Sequence, residues 1–177
     1  MSVFFAVLFY IATAVLVGGL AYRIYQFATT PAPLKIPTTP APVTQSGVVL
    51  RMFREVVFFE SLFKGTKWTW IFSWAFHMGM FLVLARHLRY FTDPVWTPVA
   101  LIQPFGIYAG FAMLAGLVGL WARRFLVDRV RYISAPSDHL MLVLLIAIAA
   151  SGLTMTFVAH TDVVMVKQFF RGLMTFN

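Results

Sequence analysis

Four long apolar stretches, at residues 3–22, 68–90, 101–121 and 139–158, decide what this chain can fold into. Each is close to the roughly 20 residues of helix that a hydrocarbon core of about 30 Å requires. Lipid offers a backbone no hydrogen-bonding partner, so such a stretch must satisfy its own N–H and C=O groups as a helix. The expectation is an all-α membrane protein, four transmembrane helices in a bundle, forming a single membrane domain over residues 1–177. With 60% hydrophobic and 11% charged residues, the chain has too little polar surface to cover a soluble domain. The first span lacks a basic leader and runs through Gly18 and Gly19 to Tyr22 and Arg23, which reads as a retained anchor rather than a cleaved signal.

The absence of cysteine excludes disulfides, thiolate metal sites, iron–sulfur clusters and haem attached through the chain's own thiols. A net charge of +8 would suggest nucleic acid in a soluble protein. Here the basic residues cluster between the spans, so no nucleic-acid partner is expected and the charge reads as membrane orientation. Arg23, Lys35, Arg51, Arg54, Lys64 and Lys67 precede the second span, and Arg123, Arg124, Arg129 and Arg131 follow the third. Only Arg86, Arg89, Lys167 and Arg171 lie on the other side. The positive-inside rule then puts the N-terminus outside and the first long loop in the cytoplasm, in the cytoplasmic (inner) membrane of a bacterium or archaeon. That loop opens with prolines at 31, 33, 37, 40 and 42, a spacing that predicts an extended strap over 31–42. Beyond it, Val49, Met52, Phe53, Val56, Phe59 and Phe63 recur at helical spacing, predicting an interfacial amphipathic helix over 47–63. It either lies on the membrane surface or docks a cytoplasmic partner.

The second span, WTWIFSWAFHMGMFLVLARHLRYF, carries His77 and His87. A strongly polar side chain at membrane depth is costly unless satisfied, and is a functional candidate for that reason. Ten residues of α-helix separate the two by about 15 Å with a rotation of about 80°, so both can face a bundle interior, one nearer each surface. That spacing suits the axial ligands of two b-type haems stacked across the bilayer, each completed by an imidazole from a facing helix. Gly79 would let a flat macrocycle approach, while Arg86, Arg89 and Tyr90 are placed to pair with haem propionates. The competing reading is that both histidines only hydrogen-bond neighbouring helices. Met78 and Met80 are possible ligands but more commonly packing residues. His139, after Pro136, Ser137 and Asp138 at the start of the fourth span, sits too shallow to serve the haem of His77. His160, at the outer end, is a ligand, a quinone contact or a water-exposed histidine.

The segments PLKIPTTPAP, GVVLRMFREVVFFESLFKG, WAFHMGM with RHLRYF ten residues on, RYISAPSDHLMLVLLIAIAASGL and RGLMTF carry a resemblance. They resemble the membrane cytochrome b family typified by the gamma subunit of respiratory nitrate reductase, and most of all its sulfite-reduction-associated (Dsr) branch. The resemblance implies two haems b, each held between the two-histidine helix and a fifth helix bearing two more histidines. It also implies a quinone site near the outer haem, with Arg86 beside it, and a cytoplasmic iron–sulfur partner related to heterodisulfide reductase, along with other membrane subunits. The second axial ligands are expected beyond Asn177 or from a neighbouring subunit. On this reading the chain relays electrons between the quinone pool and the cytoplasmic partner. The alternative is a haem-free membrane anchor that docks a cytoplasmic enzyme through residues 47–63. A small transporter is disfavoured, because paired intramembrane carboxylates and an inverted repeat are both missing from the sequence.

Overall fold

A computed structural model of the chain describes residues 2–31, 42 and 44–176. The proline-rich strap expected at 31–42 falls almost wholly outside the described residues. The helices are α1 (Ser2–Thr29), α2 (Gln45–Phe58), α3 (Glu60–Gly65), α4 (Lys67–His87), α5 (Thr97–Leu126), α6 (Asp128–Ile133), α7 (Pro136–Phe157) and α8 (Val163–Thr175). A 3-10 turn, Leu88–Tyr90, continues α4, and no strand occurs among the described residues. Four helices, Val3–Thr29, Lys67–Tyr90, Thr97–Leu126 and Pro136–Phe157, are long and apolar enough to cross a membrane, as expected of a multi-pass membrane protein. α1 and α5 overrun the limits read from hydropathy at residues 22 and 121. Hydropathy marks where hydrocarbon ends, whereas Arg23, Arg123 and Arg124 are good helix formers that let the hydrogen-bond ladder continue past it.

Antiparallel α4 and α5 form the main contact. Each contributes a glycine where the other's backbone comes closest. A Cβ on Gly79 would sit 2.7 Å from the Ala109 carbonyl oxygen, and one on Gly116 would sit 2.7 Å from that of Phe72. Small residues at such crossings let helices gain dispersion contact that lipid cannot supply. Gly79 therefore serves the α4–α5 crossing, which corrects the expectation that it makes room for a haem. α7 packs on the other flank of α5, with Leu153 against Gly110. Its start matches the sequence reading, since the Asp138 carboxylate accepts the Ala135 N–H at 3.0 Å just before Pro136.

α1 packs chiefly on α8. The Tyr10 hydroxyl donates to the Met174 carbonyl at 2.8 Å, its ring stacks on Phe176, and Ala6 is fully buried. α8 is in turn tied to the loop after α4, where Asp93 pairs with Arg171 at 2.6 Å and Lys167 at 3.3 Å.

The segment expected to form one helix over 47–63 is two helices, broken at Phe59, whose φ of 51° is left-handed. The last carbonyls of α2 are claimed from outside: Trp70 Nε1 donates to Phe58 at 2.6 Å and Trp74 Nε1 donates to Val57 at 3.1 Å. Across the break, the Glu55 carboxylate accepts the Ser61 hydroxyl and amide, which hold its pKa below the ordinary value. These bonds satisfy groups that a helix end leaves orphaned and offset a left-handed conformation costing about 1–2 kcal/mol.

Candidate functional site

His77 and His87 share one local device. His77 Nδ1 lies 2.7 Å from the Ser73 carbonyl and His87 Nδ1 lies 2.6 Å from the Val83 carbonyl, each one turn back along α4. A carbonyl can only accept, so Nδ1 carries a proton, and a ring with one proton has its lone pair on Nε2. This is how metal-binding imidazoles are held, the second nitrogen's hydrogen bond fixing both tautomer and ring orientation. Both residues are exposed on the chain's surface rather than turned into its α4–α5 interface. His77 points away from α5, toward the α2–α3 elbow, whereas His87 reaches a cavity between the helices. Gly79 and Gly116 set the side of α4 that meets α5, about 200° around the helix from His77 and about 80° from His87.

The two environments differ. His77 sits between Phe76 and Phe59, with ring centroids 4.7 Å and 5.1 Å away in edge-to-face geometry. The left-handed break in the α2–α3 elbow thus brings Phe59 against His77. His87 lies beside Tyr90, centroids 5.6 Å apart, on the wall of a cavity of about 430 Å³ between α4, α5, α7 and α8. Arg86, Arg89 and Tyr90 also line it; the remaining wall is mostly apolar, including Ile107, Met113 and Phe170.

Gln103 on α5 organises the two arginines. Its Oε1 accepts from Arg89 Nη1 at 2.8 Å and from Arg86 Nε at 3.3 Å, while its own amide donates to the Val99 carbonyl. Gly106 leaves room for the Arg86 stem, since a Cβ there would lie 2.5 Å from Arg86 Cδ. Arg89 also lies over the Tyr90 ring, 5.0 Å from its centroid, and its buried Nε has no hydrogen-bond partner. Neither arginine has a carboxylate partner among the described residues. Two half-buried cations on a mostly apolar wall favour a ligand with anionic or electron-rich oxygens and an apolar body. Sequence reasoning passed over Gln103, although a glutamine inside an apolar span is itself a signal.

The remaining histidines do not join this site. His160 is exposed, has a left-handed φ of 48°, and turns Nδ1 to the Val158 carbonyl at 3.0 Å. It is not part of the cavity wall, whose nearby members are Phe157 and Thr161. His139 packs against Phe125 near the other end of α5.

His77 and His87 fit a haem as one axial imidazole each, and the orphaned Arg89 Nε and unpaired guanidinium groups fit its propionates. The described residues hold no cluster of three or more His, Cys, Asp or Glu side chains for a free metal ion. That donor set suits a macrocycle, which brings four nitrogen ligands of its own.

Two archaeal proteins named Hdr-like menaquinol oxidoreductase cytochrome b-like subunit align over 95% of the chain. The one from Archaeoglobus fulgidus is 36% identical and the one from Archaeoglobus profundus 32% identical. The chain spans 63% and 62% of the length of these relatives. No solved structure gives a significant match. Residues 60–177, from α3 through α8, match the family described as nitrate reductase gamma subunit, and the chain belongs to that family.

Proposed function

We propose that this chain is a dihaem cytochrome b subunit that relays electrons between a membrane quinol and a cytoplasmic redox partner. The observation that carries the reading is the paired Nδ1–H to carbonyl bond, which leaves Nε2 of His77 and of His87 available to a ligand. A haem b held there would supply one-electron chemistry at a potential set by its ligands and surroundings. His77 and His87 would each give a haem one imidazole nitrogen, and the remaining ligands would have to come from other helices. Arg86 and Arg89 bind carboxylates, and Gln103 aims them. The cavity beside His87 takes the quinone ring among Ile107, Met113 and Phe170 and excludes water from it. The name borne by the archaeal relatives supports menaquinol as substrate and an Hdr-like complex of several subunits, in which the cytoplasmic partner of this proposal is an iron–sulfur protein of dissimilatory sulfur metabolism. The basic loops support an N-terminus outside the cytoplasmic membrane.

The elbow of α2 and α3 also suits a docking platform, which is what the haem-free anchor reading would require. A reduced-minus-oxidised spectrum separates the two, because only a haem protein shows an alpha band. In the assembled membrane complex, His77→Ala and His87→Ala should each remove about half of the haem b measured as pyridine haemochrome. Unchanged haem in both variants would overturn the proposal.

A further inference from the structure

A second cavity, of about 650 Å³, opens at the other end of α5 and shares no residue with the first. Its wall combines Arg123, Arg124 and Arg129 with aliphatic side chains that include Leu120, Val130 and Leu142. Arg124 is fixed: its Nη1 donates to Ser134 Oγ at 2.8 Å and to Asp138 Oδ2 at 3.2 Å, and Ser134 donates onward to the Val130 carbonyl. Asp138 thereby neutralises Arg124, and Asp128 is taken by Arg131 at 2.8 Å. Arg123 and Arg129 have no ion pair among the described residues, so the cavity retains positive charge without a counter-ion from the chain.

We propose that this cavity binds the phosphate headgroup of an anionic phospholipid, with the upper acyl chain lying along Leu120, Val130 and Leu142. The position supports a lipid: α5 leaves the apolar span here, at the level where phosphates meet hydrocarbon. The mixed wall supports it too, because a free anion has no use for an aliphatic surface, whereas a phospholipid carries both chemistries within one molecule. Arg124, held by Ser134 and Asp138, sets the shape of the cavity, and Arg123 and Arg129 supply the attraction.

The test uses the full chain purified in a neutral detergent and offered equimolar phosphatidylglycerol and phosphatidylcholine, with retained lipid counted by native mass spectrometry. Two uncompensated arginines near the phosphate predict a preference for phosphatidylglycerol on the order of tenfold. The double variant R123Q/R129Q should lose that preference. R131Q, which alters an arginine outside the cavity, should keep it. Millimolar inorganic phosphate should not displace the lipid. Equal retention of the two lipids by the unaltered chain, an unchanged preference in R123Q/R129Q, or displacement by phosphate alone would each overturn the proposal. Should R123Q/R129Q fail to fold, lipid selectivity and phosphate competition in the unaltered chain decide the matter.

Discussion

Replacing Gly79 with alanine would place a methyl group 2.7 Å from the Ala109 carbonyl oxygen, 2.9 Å from Met113 N and 3.0 Å from Met113 Cβ. The first two neighbours are backbone atoms and cannot rotate aside, so the helices must separate until the shortest distance rises from 2.7 Å to at least 3.4 Å. Overpacking of this kind costs about 1–3 kcal/mol, and a rigid backbone neighbour places the cost toward the upper end. Alanine returns about 0.5–1 kcal/mol because it is the better helix former. The net expectation for Gly79→Ala is a loss of about 1–2 kcal/mol. Gly116→Ala, with its Cβ 2.7 Å from the Phe72 carbonyl, should lose a similar amount. The double variant should lose less than the sum, since helices already pushed apart by one methyl accommodate the other. Gly18→Ala is the control: nothing lies within 4 Å of its Cβ, so it should be neutral or slightly stabilising. Equilibrium unfolding in mixed micelles of increasing dodecyl sulfate fraction, followed by circular dichroism, measures all four. The reasoning fails if Gly79→Ala is as stable as Gly18→Ala, or if the two crossing substitutions add in full.

At the α8 end of the bundle, the hydrogen bond and charge of Lys167, then the charge of Arg171, hold the Asp93 carboxyl below its ordinary value. A carboxyl depressed in the folded state contributes fully above its unfolded value and loses that contribution as pH falls through the lower folded one. Hydrogen exchange in α8 should therefore accelerate only below about pH 4, and Asp93→Asn should show the faster exchange at neutral pH without that acid dependence. At the N-terminal end of α4, Trp70→Phe and Trp74→Phe each remove an indole donor from a terminal carbonyl of α2. Each should weaken the elbow by about 0.5–1.5 kcal/mol, read as faster hydrogen exchange over residues 45–65 with little change in α5. No such local effect would mean that packing alone holds α2.

Part of the site was legible because its signals are local. His77 and His87 are conspicuous as strongly polar side chains in an apolar span, and the bonds that fix their tautomer run to Ser73 and Val83, one helical turn away in the same span. Arg86 and Arg89 were flagged by nearness to His87. The acceptor that holds them, Gln103, belongs to the next helix and becomes their partner only through the antiparallel pairing. Gly79 shows the opposite failure: a histidine, His77, lies close to it in sequence, but its neighbour in space is the backbone of α5.

The sequence by itself determined the number of spans and the residue types able to bind a cofactor, because hydropathy and helical hydrogen bonding act within one segment. Tertiary structure decided which side of α4 is spent on packing, since that depends on where Gly79 and Gly116 allow two backbones to meet. It also decided that Phe59 breaks a helix which periodicity alone would have continued, because the carbonyls there are drawn to tryptophans 12 and 17 positions away. The consequence is that the two histidines meet different surroundings: His77 packs against the α2–α3 elbow and His87 borders the cavity that α5, α7 and α8 complete.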